Sequence, residues 1–138
     1  MAASKTKKKI LIVDDDPQIL ELYSALLQEA GYHVDRAENA LAAIAAVVVR
    51  APDLILADIR MPIVDGVGLV RELKNHSDSR HIPVVAVTGY DSPGSREAAL
   101  QAGYDGYFAK PIDARRFPEQ IAGFLRQHKP KERPQAQN

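Results

Sequence analysis

Apolar residues along the chain fall into short runs that alternate with longer stretches of helical spacing. Lys9 to Val13 (KILIV) is a short apolar run that stops abruptly at acids, the pattern of a strand buried on both faces. Asp16-Pro17 then starts a helix, with an acid at the cap and proline at the first helical position. Along this helix Ile19, Leu20, Tyr23, Leu26 and Leu27 recur on one stripe, and Gly31 is the stop signal. Tyr32 to Ala37 carries a weaker strand pattern. Asn39 is placed to cap a second helix through Leu41, Ile44, Val47 and Val48, which Pro52 prevents from continuing.

Asp53 to Ala57 (DLILA) is the next buried strand and ends at Asp58. Met61-Pro62 and Asp65-Gly66 mark a loop and a turn, and a third helix is expected from about Val67 to Asn75. Pro83 to Val87 (PVVAV) is a strand ending at Thr88. Pro93-Gly94 punctuates the loop before a fourth helix that ends near Ala102, with Gly103 as its stop. Tyr107 to Ala109 is a short strand ending at Lys110-Pro111. A last helix, expected from about Ala114 to Gln127, carries Phe117, Ile121, Phe124 and Leu125.

Alternation of strand and helix, with right-handed crossovers, predicts an α/β fold: a doubly wound five-stranded parallel sheet with helices on both faces. Ligands of such folds bind beyond the carboxyl ends of the strands. The polar residues that interrupt the pattern lie at those ends. Asp14 and Asp15 follow the first strand, Asp58 the third, Thr88 the fourth and Lys110 the fifth. Because all strands point one way, these residues converge on one edge.

Three carboxylates brought together repel one another, so they either raise their pKa values or hold a cation. Hard oxygen donors without His or Cys favour Mg²⁺, which takes about six oxygens and keeps some as water. Lysine adds a second positive charge and Thr88 a hydroxyl donor. Metal, lysine and hydroxyl together suit the oxygens of a transferring phosphoryl group, and a carboxylate can itself be the nucleophile.

Composition narrows the classes further. The 138 residues suit one domain, with 46% of them apolar. The 18 basic and 18 acidic residues cancel, which gives no general drive toward nucleic acid or an anionic membrane. The absence of cysteine excludes disulfides, thiolate catalysis and Cys-ligated zinc. The lack of cysteine is compatible with the cytoplasmic location expected here, and no apolar run approaches the roughly 20 residues of a membrane helix, so membrane insertion is not expected. Residues 1–8 read as a basic, solvated N-terminal tail, 9–128 as the domain, and 129–138 (KPKERPQAQN follows His128) as a polar C-terminal tail. His33, His76, His81 and His128 are scattered and are assigned no chemistry.

Four segments in order, ILIVDDDP, DLILADIRMPIVDG, PVVAVTGY and GYFAKPI, resemble the receiver domains of two-component response regulators. The resemblance covers about Lys9 to Gln127. It implies the flavodoxin-like receiver fold with strand order 2-1-3-4-5, an order that general fold knowledge already attaches to the chemotaxis receiver. It also implies a phosphoacceptor at Asp58, and Mg²⁺ held by Asp15, Asp58 and the main-chain carbonyl of Arg60, with Asp14 acting mainly through water. Lys110 would pair with the phosphoryl group, Thr88 would bond to it and shift, and Tyr107 would be the aromatic switch residue, turned inward in the active state. The Lys110-Pro111 bond would be cis. The partners implied are a sensor histidine kinase or phosphotransfer protein, and a downstream protein met by the face of helix four, strand five and helix five.

Two other readings compete. A haloacid-dehalogenase-like phosphatase also uses a strand ending in D-x-D, which Asp14 to Asp16 satisfies, followed by a Thr or Ser and a Lys. Pro17 starts a helix at once and leaves no room for the insertion such enzymes carry, and only Asp113 stands where a late acidic pair is expected. A degenerate receiver used only for docking would lack key positions, and here all are present. Two positions are marked for tuning: Arg60, two after Asp58, and Tyr90, two after Thr88, are expected to control water access and so phosphoryl lifetime. Gly89, where a small residue is usual, is expected to loosen the backbone there.

Overall fold

The computed structural model describes residues 7–58, 66–89 and 92–127. Strands and helices alternate: β1 (Lys9–Val13), α1 (Pro17–Glu29), β2 (His33–Ala37), α2 (Ala40–Val49), β3 (Leu54–Asp58), α3 (Gly66–Lys74), β4 (Val84–Thr88), α4 (Ser95–Ala102), β5 (Gly106–Ala109) and α5 (Phe117–Gln127). All pairings are parallel and the sheet order is β2-β1-β3-β4-β5, as expected.

The central strands alternate their side chains between two cores. Leu11, Val13, Ile55, Ala57, Val84 and Ala86 face α2, α3 and α4. Ile10, Ile12, Leu54, Leu56, Val85 and Val87 face α1 and α5. Burial on both sides explains why these strands read as continuous apolar runs. Lys9 is the exception within β1 and is satisfied at its edge: Nζ lies 2.7 Å from Asp35 Oδ2, and its backbone N–H donates to Asp53 Oδ2 at 2.8 Å.

α1 begins as its cap predicts. The Asp16 carboxylate accepts from the Gln18 N–H at 2.9 Å, with Pro17 as the first helical residue. Leu20, Tyr23 and Leu27 are buried, with Ile19 and Leu26 packed beside them. Asn39 caps α2 by accepting from the Ala42 N–H at 2.8 Å.

Two expectations are corrected. In α2 the inward residues are Ala40, Ala43 and Val47, with Ile44 at the margin, whereas Leu41 is 66% and Val48 80% exposed. The helix has no polar residue to mark its outer face, and its alanines let it approach the sheet closely. α5 starts at Phe117, not Ala114. Asp113 accepts from the Arg115 N–H through its side chain at 3.0 Å, and its carbonyl accepts from Arg116 and Phe117, so 114–116 form a turn ahead of the helix. The smaller shifts, β2 opening at His33, α3 at Gly66, β4 at Val84 and β5 at Gly106, are of one residue.

α5 is fastened to β5 through aromatic contacts. Phe108 meets Phe117 and Phe124 edge-on, with ring centroids 5.8 and 5.9 Å apart. Gly106 makes room for this: a Cβ there would overlap the Phe124 ring, 2.6 Å from Cε1. Gly106→Ala is therefore expected to destabilise the fold by about 1–3 kcal/mol. Chemical denaturation checks this, and Phe124→Leu in the same chain should recover part of the loss.

Candidate functional site

Strand register sets the site. Val13 pairs with Ala57 and Asp58 with Val87, so Asp14 and Asp58 emerge side by side where β1 and β3 end. Thr88 pairs with Ala109, which brings Lys110 next to it at the end of β5, and the Lys110 N–H donates to the Thr88 carbonyl at 2.7 Å. Asp14, Asp58 and Thr88 are buried, while Asp15 is exposed. Carboxylate oxygens of Asp14, Asp15 and Asp58 lie within 4.8 Å of one another.

Lys110 closes the group. Its Nζ lies 3.1 Å from Asp14 Oδ2 and 3.7 Å from Asp58 Oδ2. The Lys110-Pro111 peptide bond is cis. Asp14 is engaged through both oxygens, since Oδ1 also accepts from the Asp16 N–H at 3.0 Å. Among the described residues, one lysine in contact with two of the three carboxylates leaves a local excess of negative charge. The donor set is hard oxygen throughout, which fits Mg²⁺ or a similar cation and does not favour a thiolate- or imidazole-seeking metal.

Tyr23, read from the sequence only as part of the α1 stripe, belongs to the site's surroundings. It is buried, its ring lies 5.4 Å from that of Phe117, and it lines a cleft with Gly89, Lys110, Pro111 and Ile112. Its phenol is pushed up to about 12, first by burial and then by the negative charges of Asp14 and Asp58. The group therefore stays neutral at physiological pH and can donate a hydrogen bond. No pattern along the chain could mark it, because its role depends on acids brought there by other strands.

Tyr107 is buried within β5, opposite Ala86, and the Arg96 guanidinium lies 5.5 Å from its ring centroid. The space at Gly89 is open enough for a methyl group, which would meet Lys110 Cδ at an ordinary 3.8 Å. Glycine is thus not required there by crowding. Arg60, Tyr90, the Met61-Pro62 loop and Asp65 lie outside the described residues, as do both tails apart from Lys7 and Lys8.

The fold, with its strand order, is shared with known proteins. The model of the response regulator receiver domain matches residues 10–122. The polar-differentiation response regulator DivK of Brucella anthropi is 38% identical over 118 residues, covering 86% of this chain and 96% of that protein. A solved receiver domain of a signal transduction histidine kinase from Syntrophus aciditrophicus superposes with a TM-score of 0.81 at 33% identity, over 91% of this chain and 95% of that one. A CheY-like receiver domain protein from Methanospirillum hungatei gives 0.82 at 32% identity, over 90% and 98%. On the fold, the site and these likenesses together, the chain belongs to the response regulator receiver domain family.

Proposed function

We propose that this receiver works as a phosphoacceptor switch in which Asp58 takes a phosphoryl group from the phosphohistidine of a sensor histidine kinase or phosphotransfer protein. The observation that carries this is Lys110 Nζ standing 3.1 and 3.7 Å from two of three clustered carboxylates at one sheet edge. An Asp58 oxygen forms the new P–O bond as the P–N bond to the donor imidazole breaks, and the electron pair leaves with the imidazole nitrogen. Lys110 holds the phosphoryl oxygens by its charge. Thr88, at the neighbouring strand end, would donate its hydroxyl to them.

A bound Mg²⁺ would be held by Asp15, Asp58 and the Arg60 main-chain carbonyl, and would supply positive charge to the phosphoryl oxygens. Asp14 already uses both oxygens, which supports its acting through water. The product adds roughly 1.5–2 negative charges at this edge. Two packings of Thr88, Tyr107 and the α4–β5–α5 face then differ in how well they accommodate that charge, and the population shifts toward the better one. A downstream protein reads that face. Arg60 and Tyr90 are assigned to tuning the phosphoryl lifetime, and the setting is cytoplasmic. Among the described residues no helix is long and apolar enough to cross a membrane.

The cleft beside Lys110 supports delivery by a protein donor. Ile19, Leu22, Pro111 and Ile112 give it apolar walls next to the acceptor, and Leu22 is 48% exposed. Stoichiometry tests the proposal. With phosphoramidate and Mg²⁺, uptake should saturate at one phosphoryl group per chain, and p-nitrophenyl phosphate should not be hydrolysed over many cycles. Sustained release of phosphate from that ester would instead establish the phosphatase reading.

A further inference from the structure

α4 is short, and its first turn is closed by Ser95, whose Oγ accepts from the Ser92 N–H at 2.8 Å and donates to the Ser92 carbonyl at 2.7 Å. It is eight residues long, and Ala99 is its one buried residue among those described. Among the described residues, Arg96 is one contact that ties its first turn to the sheet. This side chain is exposed to solvent, yet its guanidinium lies over the buried ring of Tyr107, 5.5 Å from the centroid. The pair sits close to the site by two routes. Tyr107 pairs with Ala86, two residues before Thr88 on β4, and the chain from Thr88 reaches α4 through a short loop.

We propose that Arg96 is a positioning residue of the switch: lying over Tyr107, it latches the first turn of α4 to β5 and holds the ring buried before any phosphoryl group arrives. The guanidinium face is weakly hydrated and can stack on an aromatic ring while its edges remain in water. Ring exposure requires that stacking to be given up, and lifting of α4's first turn requires the same. The two movements are thereby coupled through one side chain. Removing the charge should raise the ratio of exposed to buried ring about two- to fivefold, the range expected for a partly exposed pair of this kind. The latch stands on geometry alone. Its consequence for signalling rests on the reading of Thr88 and Tyr107 given above: a ring already held inward leaves less for phosphorylation to change.

The test uses the full chain with ¹³C-labelled tyrosine, unphosphorylated, with the Tyr107 signals assigned by their loss in Tyr107→Phe. Arg96→Met keeps the stem without the charge, and Arg96→Lys keeps a charge. In Arg96→Met the Tyr107 ring signals should move toward those of exposed tyrosine, and a paramagnetic solvent probe should broaden them about two- to fivefold more than in the wild type. Arg96→Lys should restore part of the protection. Unchanged Tyr107 signals in a folded Arg96→Met protein would overturn the latch, as would Arg96→Lys behaving no better than Arg96→Met. Adding phosphoramidate and Mg²⁺ then separates the two readings. A larger change at Tyr107 in Arg96→Met than in the wild type supports the signalling consequence. No change in either, with no phosphoryl uptake, defeats the switch and leaves the latch standing.

Discussion

Lys110→Ala is expected to slow phosphoryl uptake from phosphoramidate by about 10²- to 10³-fold at saturating Mg²⁺, the usual effect of deleting one preorganised group that meets developing charge. Among the described residues, the lysine is the cation that contacts both Asp14 and Asp58. It has little freedom to be elsewhere, because its backbone N–H is tied to the Thr88 carbonyl and its stem lies against Gly89. Without it, the incoming phosphoryl group would face the carboxylates with less positive charge to offset them. Lys110→Arg should recover only part of the rate, since a planar fork does not place one point charge where an ammonium stands. Quenched time points read by intact mass give the rates. A Lys110→Ala rate within a factor of three of the wild type would show that the lysine does not serve the transfer.

The second large effect concerns stability. In chelator, the approach of Asp58 to Asp14 and Asp15, all three within 4.8 Å, opposes folding, since in the unfolded chain Asp58 separates from the other two. Mg²⁺ at a hundredfold above its Kd should stabilise the protein by about 2.7 kcal/mol, because it binds the folded site and not the unfolded chain. That corresponds to a rise in Tm on the order of 10 °C for a domain of this size. Asp58→Asn should be more stable than the wild type in chelator, by about 1–2 kcal/mol, and should gain less from Mg²⁺. The sign is informative, for loss of an ordinary buried hydrogen-bonding group destabilises. Thermal unfolding of both proteins in EDTA and in Mg²⁺ gives the four values. A wild type indifferent to Mg²⁺, with an Asp58→Asn variant less stable than it, would contradict a metal site here.

Much of this architecture is legible along the chain because the central strands are buried on both faces. KILIV, DLILA and PVVAV stand out as apolar runs, and each ends where a polar residue is needed at the sheet edge. From parallel direction alone, Asp14, Asp58, Thr88 and Lys110 must converge, and they do. Segments without contrast were harder to read. ALAAIAAVVV offers no polar position, so Leu41 and Val48 looked like core while Ala40 and Ala43 occupy it. The start of α5 depends on one carboxylate, that of Asp113, bonding to the backbone two residues on. Tyr23 and Arg96 gain their roles from residues far away in sequence. The phenol of Tyr23 feels Asp14 and Asp58, and the guanidinium of Arg96 covers Tyr107, and no periodicity announces either contact.

The proposed mechanism stands or falls with Asp58 as the acceptor. The most direct measurement is intact mass of the wild type and of Asp58→Asn after incubation with phosphoramidate and Mg²⁺. The wild type should gain the mass of one phosphoryl group and Asp58→Asn none, while remaining folded. A phosphoryl group carried by Asp58→Asn at the wild-type level would place the acceptor elsewhere.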